Sequence, residues 1–244
     1  MKISKEEFIK LLIEKARENS IEITSEHAIK LYEYKELLLE WNEKINLTAI
    51  TDDEDIIVKH FIDSLLCVKY INDGEQIIDV GTGAGFPGIV LAVYFGGDVS
   101  ITLLDSLSKR IIFLNDVINK LDLKNIDTIH GRAEEVAHKE EYREKYDIAI
   151  ARAVAPLNIL LEYLSGYVKE KGKCICMKSI SAQDEIKKAK NVTDILNLNL
   201  AQNNAKKIIH KEEEMIRQIL IFNKEKCIAN KYPRSYGKIK KNPL

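Results

Sequence analysis

A glycine-rich segment is the part of this sequence whose residue types and spacing are most typical of a ligand site. Glycine lets the backbone turn sharply and approach a bound molecule closely. The segment follows a β-branched run at residues 77–80 and precedes an apolar run that predicts a helix over residues 88–95. In an α/β sheet, such a strand-to-helix turn faces the crevice where ligands bind. The sequence therefore predicts a small-molecule site that includes Gly81 and Gly83. The full segment reads Asp79-Val80-Gly81-Thr82-Gly83-Ala84-Gly85-Phe86-Pro87-Gly88.

Two carboxylates near this segment indicate which ligand it binds. Asp105 ends the next predicted strand, where a carboxylate accepts hydrogen bonds from both hydroxyls of a ribose. Asp79 precedes the first glycine, where a negative charge opposes a pyrophosphate but suits the sulfonium and α-amino group of S-adenosylmethionine. The dinucleotide pattern Gly-x-Gly-x-x-Gly also requires a glycine where this chain has Phe86. The segment therefore resembles motif I of class I methyltransferases, and a nucleotide-dependent oxidoreductase remains the alternative.

Three further side chains follow predicted strands. Ala133 and Glu134 come after the third strand, where class I methyltransferases hold the adenine ring. Glu134 is also explained as a first-turn carboxylate that the helix dipole favours. Arg152 ends the fourth strand at the mouth of the crevice, where residues that face the methyl acceptor lie. A structural salt bridge is the other explanation for Arg152.

The elements that position these residues begin with a helical extension over residues 1–75. Ser4 with Glu7, and Thr51 with Glu54, have the spacing of a capping box, in which the two side chains satisfy each other's free amide hydrogens. Apolar residues follow both boxes at helical intervals. We predict that this extension packs on the core of the protein.

Residues 76–244 alternate between short β-branched runs and helical segments, which is typical of a doubly wound α/β sheet. Near-continuous apolar strands indicate burial on both faces, as in a parallel sheet. Two later extended stretches, at residues 198–210 and 216–222, predict an antiparallel edge. We therefore predict a Rossmann-like, class I S-adenosylmethionine-dependent methyltransferase domain with a mostly parallel sheet. The predicted strands are residues 77–80, 100–104, 126–130, 147–151 and 173–178, and the predicted helices are residues 88–95, 108–121, 157–169 and 182–190.

Length and composition exclude several classes of protein. A chain of 244 residues with 45% hydrophobic and 31% charged residues is neither disordered nor fibrous. Its apolar runs are too short to cross a bilayer, and its first residues lack a signal-peptide core. The four cysteines form no CxxC pair, which suits a reducing compartment. We expect a soluble, cytoplasmic protein without a membrane anchor, and a monomer.

The C-terminal tail is basic, although the whole chain is nearly neutral with 37 basic and 38 acidic residues. From Lys224 onward, only Glu225 is acidic. Such a local excess predicts contact with a polyanion, and a solvated lysine-rich tail is the alternative. The basic residues of the tail are Lys224, Lys226, Lys231, Arg234, Lys238, Lys240 and Lys241.

The absence of certain sequence patterns narrows the choice of acceptor atom and of metal ligands. Methylation of cytosine C5 needs a cysteine nucleophile, usually beside proline, and none of the four prolines has a cysteine neighbour. Methylation of an adenine amine usually places a polar residue, two prolines and an aromatic residue after the fourth strand, which differs from the sequence at residues 152–156. A ring nitrogen remains open as the acceptor. We expect no metal, because no metal-ligand spacing joins the histidines His27, His130, His138 and His210.

Several segments, in a fixed order from about residue 41 to the C-terminus, carry a closer resemblance. They are Trp41-Asn42-Glu43-Lys44-Ile45-Asn46-Leu47-Thr48, His60-Phe61-Ile62-Asp63-Ser64-Leu65, the glycine-rich segment, Leu104-Asp105-Ser106 with Lys109-Arg110, Gly131-Arg132-Ala133-Glu134-Glu135, Ala151-Arg152-Ala153-Val154-Ala155 and Tyr232-Pro233-Arg234. Together they resemble the family of small-subunit ribosomal RNA methyltransferase G, also called glucose-inhibited division protein B.

The resemblance implies S-adenosylmethionine as cofactor and 16S rRNA, or the small ribosomal subunit, as partner. It names the acceptor as N7 of a guanosine in the decoding-region loop, a reaction for which we expect no general base. It implies that Phe86 lines the pocket rather than packing under the helix, and that Arg152 orients the substrate. The other residues expected to border the pocket are Asn46, Thr48, His60 and Asp63. The expected cofactor-binding residues are Asp79, Gly81, Gly83, Phe86, Asp105, Ser106, Ala133, Glu134 and Arg152. A non-catalytic RNA-binding protein of the same fold remains an alternative.

Overall fold

A computed structural model describes residues 2–179, 182–211 and 213–244, and within them the strands form a seven-stranded sheet. The strands are β1 Gln76–Val80, β2 Ser100–Asp105, β3 Ile126–His130, β4 Tyr146–Arg152, β5 Val168–Lys178, β6 Leu198–His210 and β7 Glu213–Lys224. Their order in the sheet is β3-β2-β1-β4-β5-β7-β6. Strands β1 to β5 run parallel, whereas β7 pairs antiparallel with β5, and β6 pairs antiparallel with β7. The predicted parallel sheet with an antiparallel edge is therefore confirmed.

Helices cover both faces of the sheet, because its central strands are apolar on both sides and each face must be buried. The helices are α1 Lys5–Glu18, α2 Ser25–Ile45, α3 Asp53–Ile56, a π-helical turn at Ile57–Ile62, α4 Asp63–Leu65, a 3₁₀ turn at Val68–Tyr70, α5 Gly88–Phe95, α6 Ser108–Lys120, α7 Ala133–Val136, α8 Leu157–Ser165, α9 Ala182–Lys188, α10 Lys190–Ile195 and α11 Tyr236–Lys241. No helix in the described part of the chain is long and apolar enough to span a membrane.

The strand order reverses at β1, which has β2 on one side and β4 on the other. The connections that leave β1 and β4 therefore run in opposite directions, and the carboxyl ends of these strands open a crevice between them. The glycine-rich segment leaves β1 directly into α5 at this crevice.

The N-terminal helices share one hydrophobic core with the sheet. Phe8 of α1 and Leu31 of α2 belong to the same buried cluster as Ile77 of β1 and Ile148 of β4. The capping box of Ser4 and Glu7 is present at the start of α1. Burial against the sheet, rather than helix propensity alone, therefore holds these helices in place.

Three predicted boundaries and one predicted cap are wrong. Asp52, not Thr51, caps α3, because its carboxylate accepts a hydrogen bond from the backbone N–H of Asp55. Helix α8 ends at Ser165 rather than at residue 169, and β5 begins at Val168 rather than at residue 173, because Val168 already pairs with Tyr146 of β4. The helix predicted over residues 182–190 is divided into α9 and α10.

The tail is also less exposed than its sequence predicts. Lys224 is buried, and its Nζ donates to Glu144 and to the carbonyl oxygen of Ser165. Arg234 binds both carboxylate oxygens of Glu162, which is fully buried. These two cations therefore stabilise the fold, and the exposed lysines Lys226, Lys231, Lys238, Lys240 and Lys241 are the part of the tail left to meet a polyanion.

Candidate active site

The glycine-rich segment is held from below by Asp79. This side chain is fully buried, and its Oδ2 accepts hydrogen bonds from the Thr82 hydroxyl at 2.6 Å and from the Gly88 backbone N–H at 2.8 Å. Gly88 must lack a side chain, because a Cβ there would lie 2.2 Å from Leu103 of β2. Asp79 thus joins the segment to the first turn of α5, and glycine lets that turn pack against the sheet.

The second carboxylate oxygen of Asp79, Oδ1, is buried and has no hydrogen-bond partner among the described residues. Burial raises the pKa of Asp79 to about 6, although bonds from Thr82 and Gly88 act in the opposite direction. Asp79 lies beneath the segment rather than on a cavity wall, so its predicted contact with the cofactor stays a prediction.

A first cavity of about 320 Å³ opens at the carboxyl ends of β1 and β2, a volume at the lower end of the range for small-ligand sites. It brings together five of the residues predicted to bind the cofactor: Gly81, Asp105, Ser106, Ala133 and Glu134. Its remaining lining residues are Val80, Leu104, Arg110, Gly131, Arg132, Ala153, Val154, Tyr163 and Tyr236.

Asp105 is the best-anchored polar group of the first cavity. Its Oδ2 accepts from the Gly83 N–H at 2.9 Å and from Arg110 at 3.1 Å, and its Oδ1 accepts from the Leu107 N–H at 2.9 Å. A carboxylate offers about four acceptor positions, so Oδ1 retains one for a ligand hydroxyl. Gly83 therefore supports Asp105 from the segment, and a Cβ on Gly83 would meet open space.

Replacing Asp105 by alanine is expected to weaken binding of S-adenosylhomocysteine, the product form of the predicted cofactor, by about 1–3 kcal/mol, the scale of hydrogen bonds left unmade at a buried or charged group. Isothermal titration calorimetry measures this loss. Asp98→Ala, the same change at an exposed position before β2, is the control and should keep the wild-type affinity. A folded Asp105→Ala protein with wild-type affinity would remove Asp105 from the site.

A second cavity of about 390 Å³ lies beside the first, at the carboxyl ends of β4 and β5. Ala153 lines both cavities, so the two adjoin at the end of β4. The φ angle of Ala153 is 58°, a left-handed conformation that turns the chain between them. The second cavity is lined by Ile50, Lys59, His60, Asp63, Arg152, Ala153, Met177, Lys178, Ser179 and Arg217.

Arg152 projects into the second cavity, not the first. Its Nη1 donates to Asp63 at 3.0 Å and to the Lys59 carbonyl oxygen at 3.0 Å, and its Nη2 lies 3.3 Å from His60 Nδ1. Arg217 of β7 donates to the other oxygen of Asp63 at 3.0 Å. One carboxylate therefore joins two arginines. The salt bridge that offered a structural explanation for Arg152 exists, and it lies on the cavity wall.

His60 is held as a neutral imidazole. Burial and the adjacent Arg152 charge lower the pKa of His60 to about 3. Because Nδ1 faces the Arg152 guanidinium, we assign the proton to Nε2, which lies 2.9 Å from the Thr48 hydroxyl. The π-helical turn at Ile57–Ile62 carries this residue towards β4, and π-turns recur at functional sites.

Phe86 lies on neither cavity wall but directly behind the second one. Its ring stacks on His60 with centroids 4.3 Å apart, and the Arg152 guanidinium lies 5.0 Å from its centroid. Phe61 and Tyr34 complete the aromatic cluster. Phe86 therefore braces the groups that line the cavity, and its predicted contact with the cofactor stays a prediction.

Arg217 and Tyr236 are two of the residues on these walls that were not identified from the sequence. Arg217 lies just before the apolar run of β7 at residues 219–222, and a charge at that position of a strand was the signal that could have found it. Tyr236 is an aromatic residue within the basic tail, a combination typical of nucleotide-contacting surfaces. Asn46 ends α2 in a left-handed conformation and does not line either cavity. No cluster of potential metal ligands occurs among the described residues.

Comparison with known proteins shows which family this chain resembles. The profile of the family described as GidB, rRNA small subunit methyltransferase G, matches residues 27–216. A relative from Acetivibrio thermocellus, named ribosomal RNA small subunit methyltransferase G, is 46% identical over 96% of this chain and 96% of its own length. A relative of the same name from Thermoanaerobacter sp. is 43% identical over 98% of this chain and 100% of its own length.

Solved structures agree on the fold. The M. jannaschii TYW2 structure in complex with AdoMet matches with a TM-score of 0.54 at 16% identity, over 72% of this chain and 79% of that one. A ribosomal protein L11 methylase from Lactobacillus delbrueckii subsp. bulgaricus matches with a TM-score of 0.51 at 13% identity, over 68% of this chain and 79% of that one. With the extent of the family match and the near-complete coverage of its relatives, this chain belongs to the ribosomal RNA small subunit methyltransferase G family.

Proposed function

We propose that this protein transfers a methyl group from S-adenosylmethionine to N7 of a guanosine in the 16S rRNA of the small ribosomal subunit. The observation that carries the acceptor is the second cavity, which adjoins the first at Ala153. Both titratable groups of its wall that could accept a proton are already engaged: Asp63 by two arginines and His60 by Arg152. Guanine N7 has an in-plane lone pair and no proton to lose, so it suits this wall.

S-adenosylmethionine is the methyl donor, and its sulfonium supplies an electrophilic methyl group. The residues of the first cavity suit this molecule, because Asp105 keeps an acceptor position for a ribose hydroxyl and the apolar side chains of Leu104 and Val154 line the same space. Ser106 and Glu134 add polar groups at the end of the cavity nearest β3. In this arrangement the first cavity holds the donor, and the second receives the acceptor base.

The chain's contribution to the reaction is positioning and charge. Arg152 and Arg217 share a single carboxylate, so the cluster keeps a net positive charge that attracts a nucleotide and its phosphate. The Arg152 guanidinium is fixed between Asp63 and the Phe86 ring, so its plane is set before the substrate arrives. Holding two reactants in line can supply roughly 7–11 kcal/mol of a barrier without any proton transfer.

The rate of single-turnover methyl transfer is expected to be constant between about pH 7 and 8.5, because no group must gain or lose a proton in that range. His60, with a pKa of about 3, is neutral throughout, and Asp79, with a pKa of about 6, is ionised. Rapid-quench measurements at saturating cofactor and substrate test this. A unit slope of log rate against pH that disappears in His60→Gln would show that a proton is removed.

His60 also makes stability depend on pH in a defined direction. Its pKa is lowered in the folded protein, so the unfolded chain takes up this proton first as the pH falls. The resulting stabilisation is complete above the ordinary histidine value near 6.5 and is lost progressively towards pH 3. Comparison of melting temperatures for the wild type and His60→Gln across that window isolates this contribution.

A chemical assay tests the acceptor itself. Small subunits that lack the methyl group are incubated with the protein and S-adenosylmethionine labelled in the methyl group. A 7-methylguanosine is cationic, so borohydride reduction followed by aniline cleaves the RNA at the modified residue. We expect one labelled position and cleavage there. Label without cleavage would place the methyl group on another atom, and absence of label would favour the non-catalytic RNA-binding alternative.

We further propose a division of labour along the chain. Residues 1–75, the helical extension, contribute Lys59, His60 and Asp63 to the acceptor side, whereas residues 76–244 carry the donor cavity and contribute Arg152 and Arg217 to the acceptor side. A substrate of ribosomal RNA implies a cytoplasmic site of action, and we propose a monomer as the acting form.

A further inference from the structure

The first cavity extends along the carboxyl edge of the sheet, and its two ends lie beside different strands. At one end, Ala153 separates it from the second cavity, so the reacting methyl group belongs at this end. Asp105, at the end of β2, holds the ribose position in the middle. The segment from Gly131 to Glu134 follows β3 and forms the far end. A donor with its methyl group at Ala153 and its ribose at Asp105 therefore places its adenine at the far end.

The C-terminal tail supplies one wall of that far end. Tyr236, the first residue of α11, lines the cavity although its side chain is 44% exposed. Its ring has the guanidinium of Arg132 at 5.2 Å and the Nζ of Lys240 at 5.7 Å from its centroid. Arg132 also lines the cavity. A tyrosine offers an adenine ring a flat apolar surface, and such base contacts contribute appreciably to affinity.

The tail that carries Tyr236 is fixed on its N-terminal side. Arg234 binds the buried carboxylate of Glu162 through its backbone N–H, Nε and Nη2. His138 lies 2.7 Å from the Pro233 carbonyl oxygen. Beyond this anchor, Ile239 of α11 is fully buried. The position of Tyr236 therefore depends on how α11 sits against the body of the protein.

The exposed face of the same helix is basic. Lys238, Lys240 and Lys241 are exposed, and no acidic residue follows Glu225 in the sequence. Among the described residues, no salt bridge joins these lysines to an acidic group. Three exposed cations on one short helix suit the phosphates of an RNA backbone, where lysines bind without reading sequence. One six-residue helix thus presents an aromatic ring to the cofactor cavity and lysines to the solvent.

We propose that Tyr236 forms the adenine-side wall of the cofactor cavity, and that RNA phosphates bound by the lysines of α11 hold this wall closed and so raise the affinity for the cofactor. The second half rests on the proposed function, because it needs RNA as substrate. Coupling of this kind is reciprocal, so the cofactor raises the affinity for RNA by the same factor.

The wall is tested without RNA. By calorimetry, we expect Tyr236→Ala to bind S-adenosylhomocysteine roughly tenfold more weakly than the wild type, and Tyr236→Phe to bind within about twofold of it, because the contact is made by the ring. Since the side chain is exposed, both variants should keep the wild-type melting temperature. If Tyr236→Ala bound S-adenosylhomocysteine as tightly as the wild type does, the proposal that Tyr236 forms this wall would be wrong.

The coupling is tested by equilibrium dialysis of labelled S-adenosylhomocysteine with and without small ribosomal subunits that lack the methyl group. We expect the subunits to tighten binding to the wild type about fivefold or more, the usual lower scale of coupling between sites. Lys238→Glu/Lys241→Glu should lose this gain. The matched control Lys2→Glu/Lys10→Glu makes the same charge change at exposed N-terminal positions and should keep it.

The outcomes separate the two proposals. The proposed coupling is wrong if the subunits do not tighten S-adenosylhomocysteine binding to the wild type, or if they still tighten it in Lys238→Glu/Lys241→Glu. This holds even if the protein methylates the subunit. If the wild type fails to label the subunit while Tyr236→Ala still loses affinity for S-adenosylhomocysteine, the proposed function is wrong and the wall stands.

Discussion

Arg152→Lys is expected to slow single-turnover methyl transfer by roughly 100-fold, the cost of misplacing a reacting group by about 1 Å. The Arg152 guanidinium makes simultaneous contacts with Asp63, the Lys59 carbonyl oxygen and His60, and lies over the ring of Phe86. A lysine ammonium is a point charge on a flexible stem and cannot reproduce this planar set of bonds. The charge would remain while the orientation would be lost.

The affinity for S-adenosylhomocysteine shows whether Arg152→Lys is slow because the acceptor is misplaced or because the cofactor binds less well. Arg152 lines the second cavity and not the first, so Arg152→Lys should bind this ligand as the wild type does. Arg17→Lys, the same change at an exposed position of α1, should leave the rate unaltered. An unchanged rate in Arg152→Lys, or a loss of ligand affinity equal to the loss of rate, would contradict the role of Arg152 in placing the acceptor.

Local patterns in the sequence predict that Gly81 and Asp105 meet at one cavity. Gly81 and Asp105 belong to segments that leave adjacent parallel strands, and strand ends of a parallel sheet meet at one edge. Their meeting in the first cavity therefore follows from the strand assignments alone. The predicted fold class, the family and an enzyme that methylates ribosomal RNA are confirmed by the sheet order, the family match and the near full-length relatives.

The second cavity is harder to predict because its groups come from distant parts of the chain. Asp63 precedes the sheet domain, whereas Arg217 lies on β7, a strand that enters the sheet only by antiparallel pairing with β5. No spacing rule links these positions. Sequence reasoning also cannot say on which side of a loop a carboxylate lies, and Asp79 lies beneath its loop rather than above it.

Charge counts along the chain mislead for a related reason. Lys224 and Arg234 raise the basic count of the tail, but each neutralises a carboxylate of the folded domain. Removal of the chain from Lys231 onward would leave the fully buried Glu162 without its partner and so disturb the fold. Substitution of the lysines beyond the anchor separates RNA binding from stability, which truncation does not.

The cluster of Arg152, Asp63 and Arg217 also carries a large share of local stability. Asp63→Ala is expected to lower the free energy of unfolding by about 3 kcal/mol, the lower end of the range for breaking a buried ion pair. The Asp63 side chain is 9% exposed and accepts from two arginines that are themselves mostly buried. Its removal would leave two guanidinium groups close together without a counterion. For a chain of this length the melting temperature should fall by roughly 6–12 °C.

A second substitution distinguishes two causes of this destabilisation, namely repulsion between Arg152 and Arg217 and the loss of their hydrogen bonds to Asp63. If the cost of Asp63→Ala comes from two unpaired charges, adding Arg217→Met should recover part of it, because one guanidinium is removed and its place is filled by an apolar side chain of similar length. If the cost came only from lost hydrogen bonds, the double variant would be no more stable than Asp63→Ala. Asp73→Ala, at an exposed position before β1, serves as the matched control and should stay within about 0.5 kcal/mol of the wild type. Chemical denaturation of five proteins, namely the wild type, Asp63→Ala, Arg217→Met, the double variant and Asp73→Ala, decides between these outcomes. Full additivity of Asp63→Ala and Arg217→Met would show that Asp63 does not couple the arginines.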